Sequence, residues 1–154
     1  MRIIKNQSGQ SLIEVLIALG VAALIVAAIA TSVLSGLNNA QYSKNQNLAT
    51  QYAQEGMEIM RKIKNDNWAT FDNLSGQYCL GQNNNLTAYG SGCGQNVSPF
   101  SRVVYVDESC ANSQKKVQVW VFWSDNKCTN EANPFCHEAN MVSCFSNVNV
   151  IQTP

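Results

Sequence analysis

Glu14 is the residue whose position most needs a chemical reason. No charged side chain lies between it and Lys44, and from Val15 to Ala30 every residue is apolar or Gly. A carboxylate carried towards mid-bilayer costs about 2–3 kcal/mol or more, so one placed here points to a function. Two roles suit it. Within the chain, Ser11-Leu12-Ile13-Glu14 reads as a capping box, with Glu14 reaching back to an unsatisfied donor at a helix start and meeting the favourable end of the dipole. Between chains, a carboxylate in a dry environment attracts an ammonium group strongly, although either charge alone is penalised there.

The other reactive side chains all follow the apolar run. They are Cys79, Cys93, Cys110, Cys128, Cys136 and Cys144. An even count confined to one side of a membrane segment reads as three disulfides made in an oxidising compartment. Spacing alone does not choose among the many pairings. The working set is Cys79 with Cys93, Cys110 with Cys144, and Cys128 with Cys136. The first would close a loop of about 15 residues, worth about 3 kcal/mol in the chain-entropy account. His137, the only histidine, adjoins Cys136, but sequence neighbours diverge and a nucleophilic Cys–His pair needs facing side chains. No C-x-x-C spacing marks a zinc site. The sequence therefore assigns no catalytic, cofactor-binding or metal-ligating residue, and the chain reads as non-enzymatic.

The elements that hold these residues can be read in order. A length of 154 residues suits one domain plus a membrane helix, and ten basic against ten acidic residues give no field for nucleic acid. Leu12 to Leu34 is long enough to span, since a bilayer needs roughly 20 apolar residues. Arg2 and Lys5 precede it, so the positive-inside bias keeps the amino end cytoplasmic and sends the cysteines outside. Beyond Leu34 the sequence turns polar but keeps a helical period. Leu37, Gln41, Leu48, Tyr52, Ile59 and Ile63 fall near one face, with Ala49, Ala53 and Met60 beside it. Arg61, Lys62 and Lys64 suit a helix carboxyl end, and Asn65-Asp66-Asn67 stops it. One helix of about 80 Å would result. Its first half wants lipid or other helices; its second half wants a sheet.

Phe71 to Pro99, rich in Gly, Asn, Gln and Ser, reads as a long surface loop pinned by Cys79 and Cys93. Triplets starting at Asn73, Asn85 and Asn96 match glycosylation sequons, and the Asn-rich composition accounts for them. Strands are expected at Arg102–Val106, at Lys116–Trp123 with Val117, Val119, Val121 and Trp123 on one face, and at Ala139–Val150. Trp120, Phe122 and Trp123 offer a candidate binding patch, but alternation makes one face of the strand core. The fold class is α+β: a long amino-terminal helix, half membrane and half amphipathic, with a small disulfide-stabilised antiparallel head on its second half.

Gly9-Gln10-Ser11-Leu12-Ile13-Glu14-Val15-Leu16-Ile17-Ala18-Leu19 resembles the cleavage and methylation motif of bacterial type IV pilins and type II secretion pseudopilins. The resemblance is close from Met1 to about Leu37, looser from Leu48 to Trp68, and weak at the carboxyl end. It implies a leader, residues 1–9, removed after Gly9 by the prepilin peptidase. A mature chain starting at Gln10 follows, with Glu14 at the fifth mature position. It further implies a filament-core helix over 10–36, an amphipathic half over 37–67 and an extracytoplasmic β head over 68–154 containing the loop 71–99. The partners implied are the membrane and other pilin or pseudopilin subunits. The subunit would be a single-pass protein of the cytoplasmic membrane before assembly and part of a cell-surface filament after it. Gln10 stands where the family usually has Phe, which bears on N-methylation of the new amino terminus. Thr31 stands where major pilins commonly have Pro, which favours a minor pilin or pseudopilin. Two other readings of the amino end are a secretory signal cut after Ala28-Ile29-Ala30 and an uncleaved signal anchor. Either would leave a disulfide-rich surface binding module.

Overall fold

The computed structural model describes residues 8–111, 114–125, 128 and 135–147. The chain divides into two compact units, residues 1–43 and 44–154. Helix α1, Ser8–Asp66, contributes to both.

In the first unit the helix is unbroken through Thr31, whose hydroxyl donates to the Ala28 carbonyl at 2.9 Å. That bond satisfies a polar group set among apolar neighbours. Every residue from Ser11 to Lys44 is exposed, among them Leu12, Leu16, Leu19, Leu24 and Ile29. Leu24 keeps 73% of its surface open. In length and composition this is a helix fit to cross a membrane.

The second unit is a five-stranded antiparallel sheet in the order β2-β1-β3-β4-β5, covered on one face by the end of α1. The strands are β1 Gly76–Leu80, β2 Leu86–Ala88, β3 Ser101–Cys110, β4 Gln114–Trp123 and β5 His137–Phe145. The long helix stops at Asp66 with Lys64 in its last turn. Asn67 turns extended and its side chain accepts from the Thr70 amide at 3.0 Å, which starts the short helix α2, Trp68–Asp72. Alternation sets the inner face of the sheet: Val104 and Val106, then Val117, Val119, Val121 and Trp123, are fully or almost fully buried. Phe71, Leu80, Phe100 and Phe145 close the core at its edges. Three disulfides tie the head together: Cys79–Cys93, Cys110–Cys144 and Cys128–Cys136.

The α+β class and the antiparallel head stand as the sequence indicates, but three details differ. The segment 71–99 is not a single loop, because it holds the end of α2 and strands β1 and β2. Strands of five and three residues show too few alternations to stand out from Gly- and Asn-rich surroundings. The last strand is His137–Phe145 rather than 139–150, and residues 148–150 lie outside the described residues. Finally, the helix stripe that meets the sheet is Ala49, Ala53, Gly56, Met57 and Met60, with Leu48, Tyr52, Ile59 and Ile63 on its flanks. Leu37 and Gln41 are exposed. Ala49, Ala53 and Gly56 leave room for the sheet, while Met57 and Met60 fill the core beside them.

Gly56 marks the closest approach. A Cβ there would lie 2.8 Å from Val119 Cγ1 and 3.3 Å from Arg102 Cδ. Val119 is β-branched and fully buried, so it has little room to turn away. Gly56→Ala should therefore lose about 1–3 kcal/mol to overpacking, against a helix-propensity gain of about 1 kcal/mol. Gly36→Ala, with nothing within 4 Å, is the control and should leave the urea midpoint of the head unchanged.

Arg102 ties the helix to the sheet. Its side chain has no exposed surface. Nε donates to Leu80 O and Nη2 to Gly81 O, both at 2.9 Å, while Nη1 reaches Tyr52 O and Glu55 Oε2 at 3.2 Å. The β1–β3 register ends at Cys79 and Val103, so the guanidinium takes over the carbonyls that follow it. The backbone of Arg102 is met in turn by the Asn96 side-chain amide, which accepts from its N–H at 2.7 Å and donates to its carbonyl at 2.9 Å. Asn96, one of the sequon residues, thus serves as a one-residue strand. Burial lowers the Arg102 pKa from its ordinary value, and Glu55 opposes that shift.

Candidate functional site

The amino-terminal site is a backbone helix carrying one acid. Gly9 and Gln10 lie in the first described turn of α1, and Glu14 follows on an exposed helix surface. The chain is already helical at Ser8, three residues before Ser11. Ser11 is therefore not the cap of the helix in the full chain, and the capping box expected from the sequence does not sit at its start. Removal of residues 1–9 would leave Ser11 next to the new end at Gln10. Around Glu14 the side chains of Leu12, Ile13, Val15, Leu16 and Ile17 are each more than half exposed. Such a surface is incomplete in water and complete only against lipid or other helices. The small residues Gly20, Ala22, Ala23, Ala27, Ala28 and Ala30 permit close helix approach.

The head gathers polar groups at two further places. At the β4–β5 end, Asp125, Cys128, Cys136 and His137 bring their donor atoms within 4.8 Å of one another. His137 Nε2 lies 2.9 Å from Asp125 Oδ2, and its ring stacks on Trp123 with centroids 5.4 Å apart. Neither the adjacency of Cys136 and His137 nor a search for C-x-x-C pairs points to this group. Antiparallel pairing of β4 with β5 sets Trp123 opposite His137, and that long-range register is what assembles it. No local spacing reveals it.

The second place is the outer face of the sheet. Trp120 and Phe122 alternate with the core residues of β4 and stack, 9° apart, with centroids separated by 6.0 Å. With Gln77, Tyr89, Tyr105 and Gln118 they line an open groove of about 380 Å³. Of the three aromatic residues of the candidate patch, Trp123 belongs to the core and the other two to this outer face. Nearby, Asp107 accepts from the hydroxyl and the backbone N–H of Ser109. Those bonds and the Lys116 ammonium hold its carboxyl below the usual range, although slight desolvation opposes them.

Residues 4–30 match the family model described as the prokaryotic N-terminal methylation motif. This is the prepilin signature of type IV pilins and pseudopilins, and from Ser8 onward it lies on the helix just described. No curated protein and no solved structure matches the chain. The motif goes with prepilin processing and subunit assembly at a membrane, and its family is structural rather than enzymatic.

Proposed function

We propose that the protein is a minor pilin or pseudopilin, a structural subunit of a type IV pilus or a type II secretion-like filament. One observation carries this reading: most of the methylation motif, residues 15–30, is a helix segment of apolar residues and Gly, none of them buried. The leader would be residues 1–9 and the filament core 10–36. Processing after Gly9 would expose the ammonium of Gln10, four residues from Glu14. In a dry bundle that ammonium and the carboxylate of a neighbouring subunit attract, and the pair sets the axial register between chains. The unbroken helix at Thr31 supports a minor subunit over the bulk fibre protein, where Pro commonly interrupts the helix. Before assembly the subunit would cross the cytoplasmic membrane once, amino end inward, with the disulfide-bonded head outside.

The test is the intact mass of the chain recovered from its native membrane. A mature chain beginning at Gln10 is expected, and Gly9→Val should abolish that species. A start at Thr31 would make it a secreted protein, and an uncleaved chain a membrane-anchored surface module; either result overturns the reading.

A further inference from the structure

We infer that Asp125, Cys128, Cys136 and His137 form a zinc site that replaces the Cys128–Cys136 disulfide when that bond is reduced. The donor types are those zinc prefers: two thiolates, an imidazole and a carboxylate. Their spacing also fits. With zinc–sulfur bonds of about 2.3 Å and zinc–nitrogen or zinc–oxygen bonds of about 2.0–2.2 Å, a tetrahedral centre separates neighbouring donors by about 3.3–3.8 Å. Asp125 Oδ1 already lies 3.7 Å from Cys128 Sγ and 3.9 Å from Cys136 Sγ. His137 Nε2 stands 2.9 Å from the second oxygen of that carboxylate, Oδ2, so a small rotation of the carboxylate sets one oxygen and the imidazole at ligand spacing. The largest movement needed is the parting of the two bonded sulfurs, since all four donors already lie within 4.8 Å of one another.

The surroundings are those of a supported site. The Asp125 backbone N–H donates to Cys128 Sγ at 3.2 Å, a bond that stabilises a thiolate. Trp123 stacks on His137 and fixes its ring. Cys136 is exposed, so a reductant can reach the bond. Among the described residues, no other grouping of His, Cys, Asp and Glu donors is assembled in this way; the other two disulfides have no such neighbours.

The chemistry balances with a dithiol as reductant, or with a phosphine, which takes its oxygen from water and leaves as the phosphine oxide. The dithiol gives up two electrons and two protons and becomes a disulfide, while Cys128 and Cys136 become thiols. Zinc then takes both sulfurs as thiolates and their protons pass to the buffer. The metal and the disulfide are alternative closures of one loop. The inference rests on the head alone and does not require the filament reading.

The experiment uses the full chain in detergent, oxidised or reduced with a phosphine without air, then given equimolar zinc chloride and freed of unbound metal. The reduced chain should retain a single zinc ion and the oxidised chain none. X-ray absorption should show two sulfur and two nitrogen or oxygen neighbours. Asp125→Ala and His137→Ala should each weaken binding about tenfold or more. A reduced chain that keeps no zinc, a four-sulfur centre, or unaltered affinity in those variants would each overturn the site. A second measurement covers a reduced chain that loosens: re-formation of the Cys128–Cys136 bond, followed by thiol alkylation and peptide mass. Zinc should slow it about tenfold or more in the wild type and markedly less in His137→Ala at the same zinc concentration. Equal rates with and without zinc in the wild type would also exclude the site.

Discussion

Arg102→Met should lower the stability of the head by about 3–5 kcal/mol, seen as a fall in the urea midpoint with little change in slope. The long apolar side chain fills much of the same space, so the loss is not mainly a cavity. It comes from the carbonyls of Leu80 and Gly81, which surrender their charged donor where the strand ladder has already ended. The buried Leu80 carbonyl left unsatisfied costs about 1–3 kcal/mol, and the lost charged donor to Gly81, whose carbonyl keeps the Asn84 amide at 3.1 Å, adds about 1.5–3 kcal/mol. The ion pair contributes far less. Glu55 is about half exposed, at 48%, and water can take the place of the guanidinium. Glu55→Gln should therefore cost no more than about 1 kcal/mol. Arg102→Lys keeps the charge but cannot aim donors at all four acceptors, and should recover less than half of the loss. Equal losses from Glu55→Gln and Arg102→Met would show that the charge, not the carbonyls, holds the helix to the sheet.

Glu14→Gln should leave cleavage after Gly9 intact and remove the subunit from filaments. The substitution keeps size and polarity and deletes only the charge. If Glu14 meets the ammonium of a neighbouring Gln10 in the bundle, its loss strands that ammonium in an apolar setting. Breaking such a pair costs about 3–5 kcal/mol, more than a hundredfold in assembly at about 1.4 kcal/mol per factor of ten. The urea midpoint of the head should not move, because Glu14 is exposed and the core of the head begins at Ala49. Counting tagged subunits in sheared filaments, beside the processed fraction in membranes, separates assembly from cleavage. Incorporation of the Glu14→Gln variant at the wild-type level would end the register role of the acid.

The parts that can be read from the residues are those whose physics is local. A run free of charge from Val15 to Ser43 announces its solvent whatever the rest of the chain does. The alternation of Val117, Val119, Val121 and Trp123 fixes a strand and its buried face in the same way. Elsewhere, distant contacts decide. The face of α1 that meets the sheet follows Gly56 and two alanines, because Val119 comes so near. A search for large apolar residues points to the flanks instead. Strands β1 and β2 are recruited by pairing with β3 and with each other, although their own residues show little pattern. The donor group at Asp125 and His137 depends on the β4–β5 register and leaves no trace in spacing.

The helix stripe of Ala49, Ala53, Met57 and Met60 also decides where the polypeptide can be cut. These residues wall one side of the core, so they belong to the head although the oily segment precedes them in the same helix. A fragment beginning at Lys44 keeps the whole wall and discards the surface that demands lipid. It should dissolve without detergent and unfold in one cooperative step. A fragment beginning at Trp68 would present the inner face of the sheet to water and should precipitate; light scattering and a denaturation curve on the pair would tell.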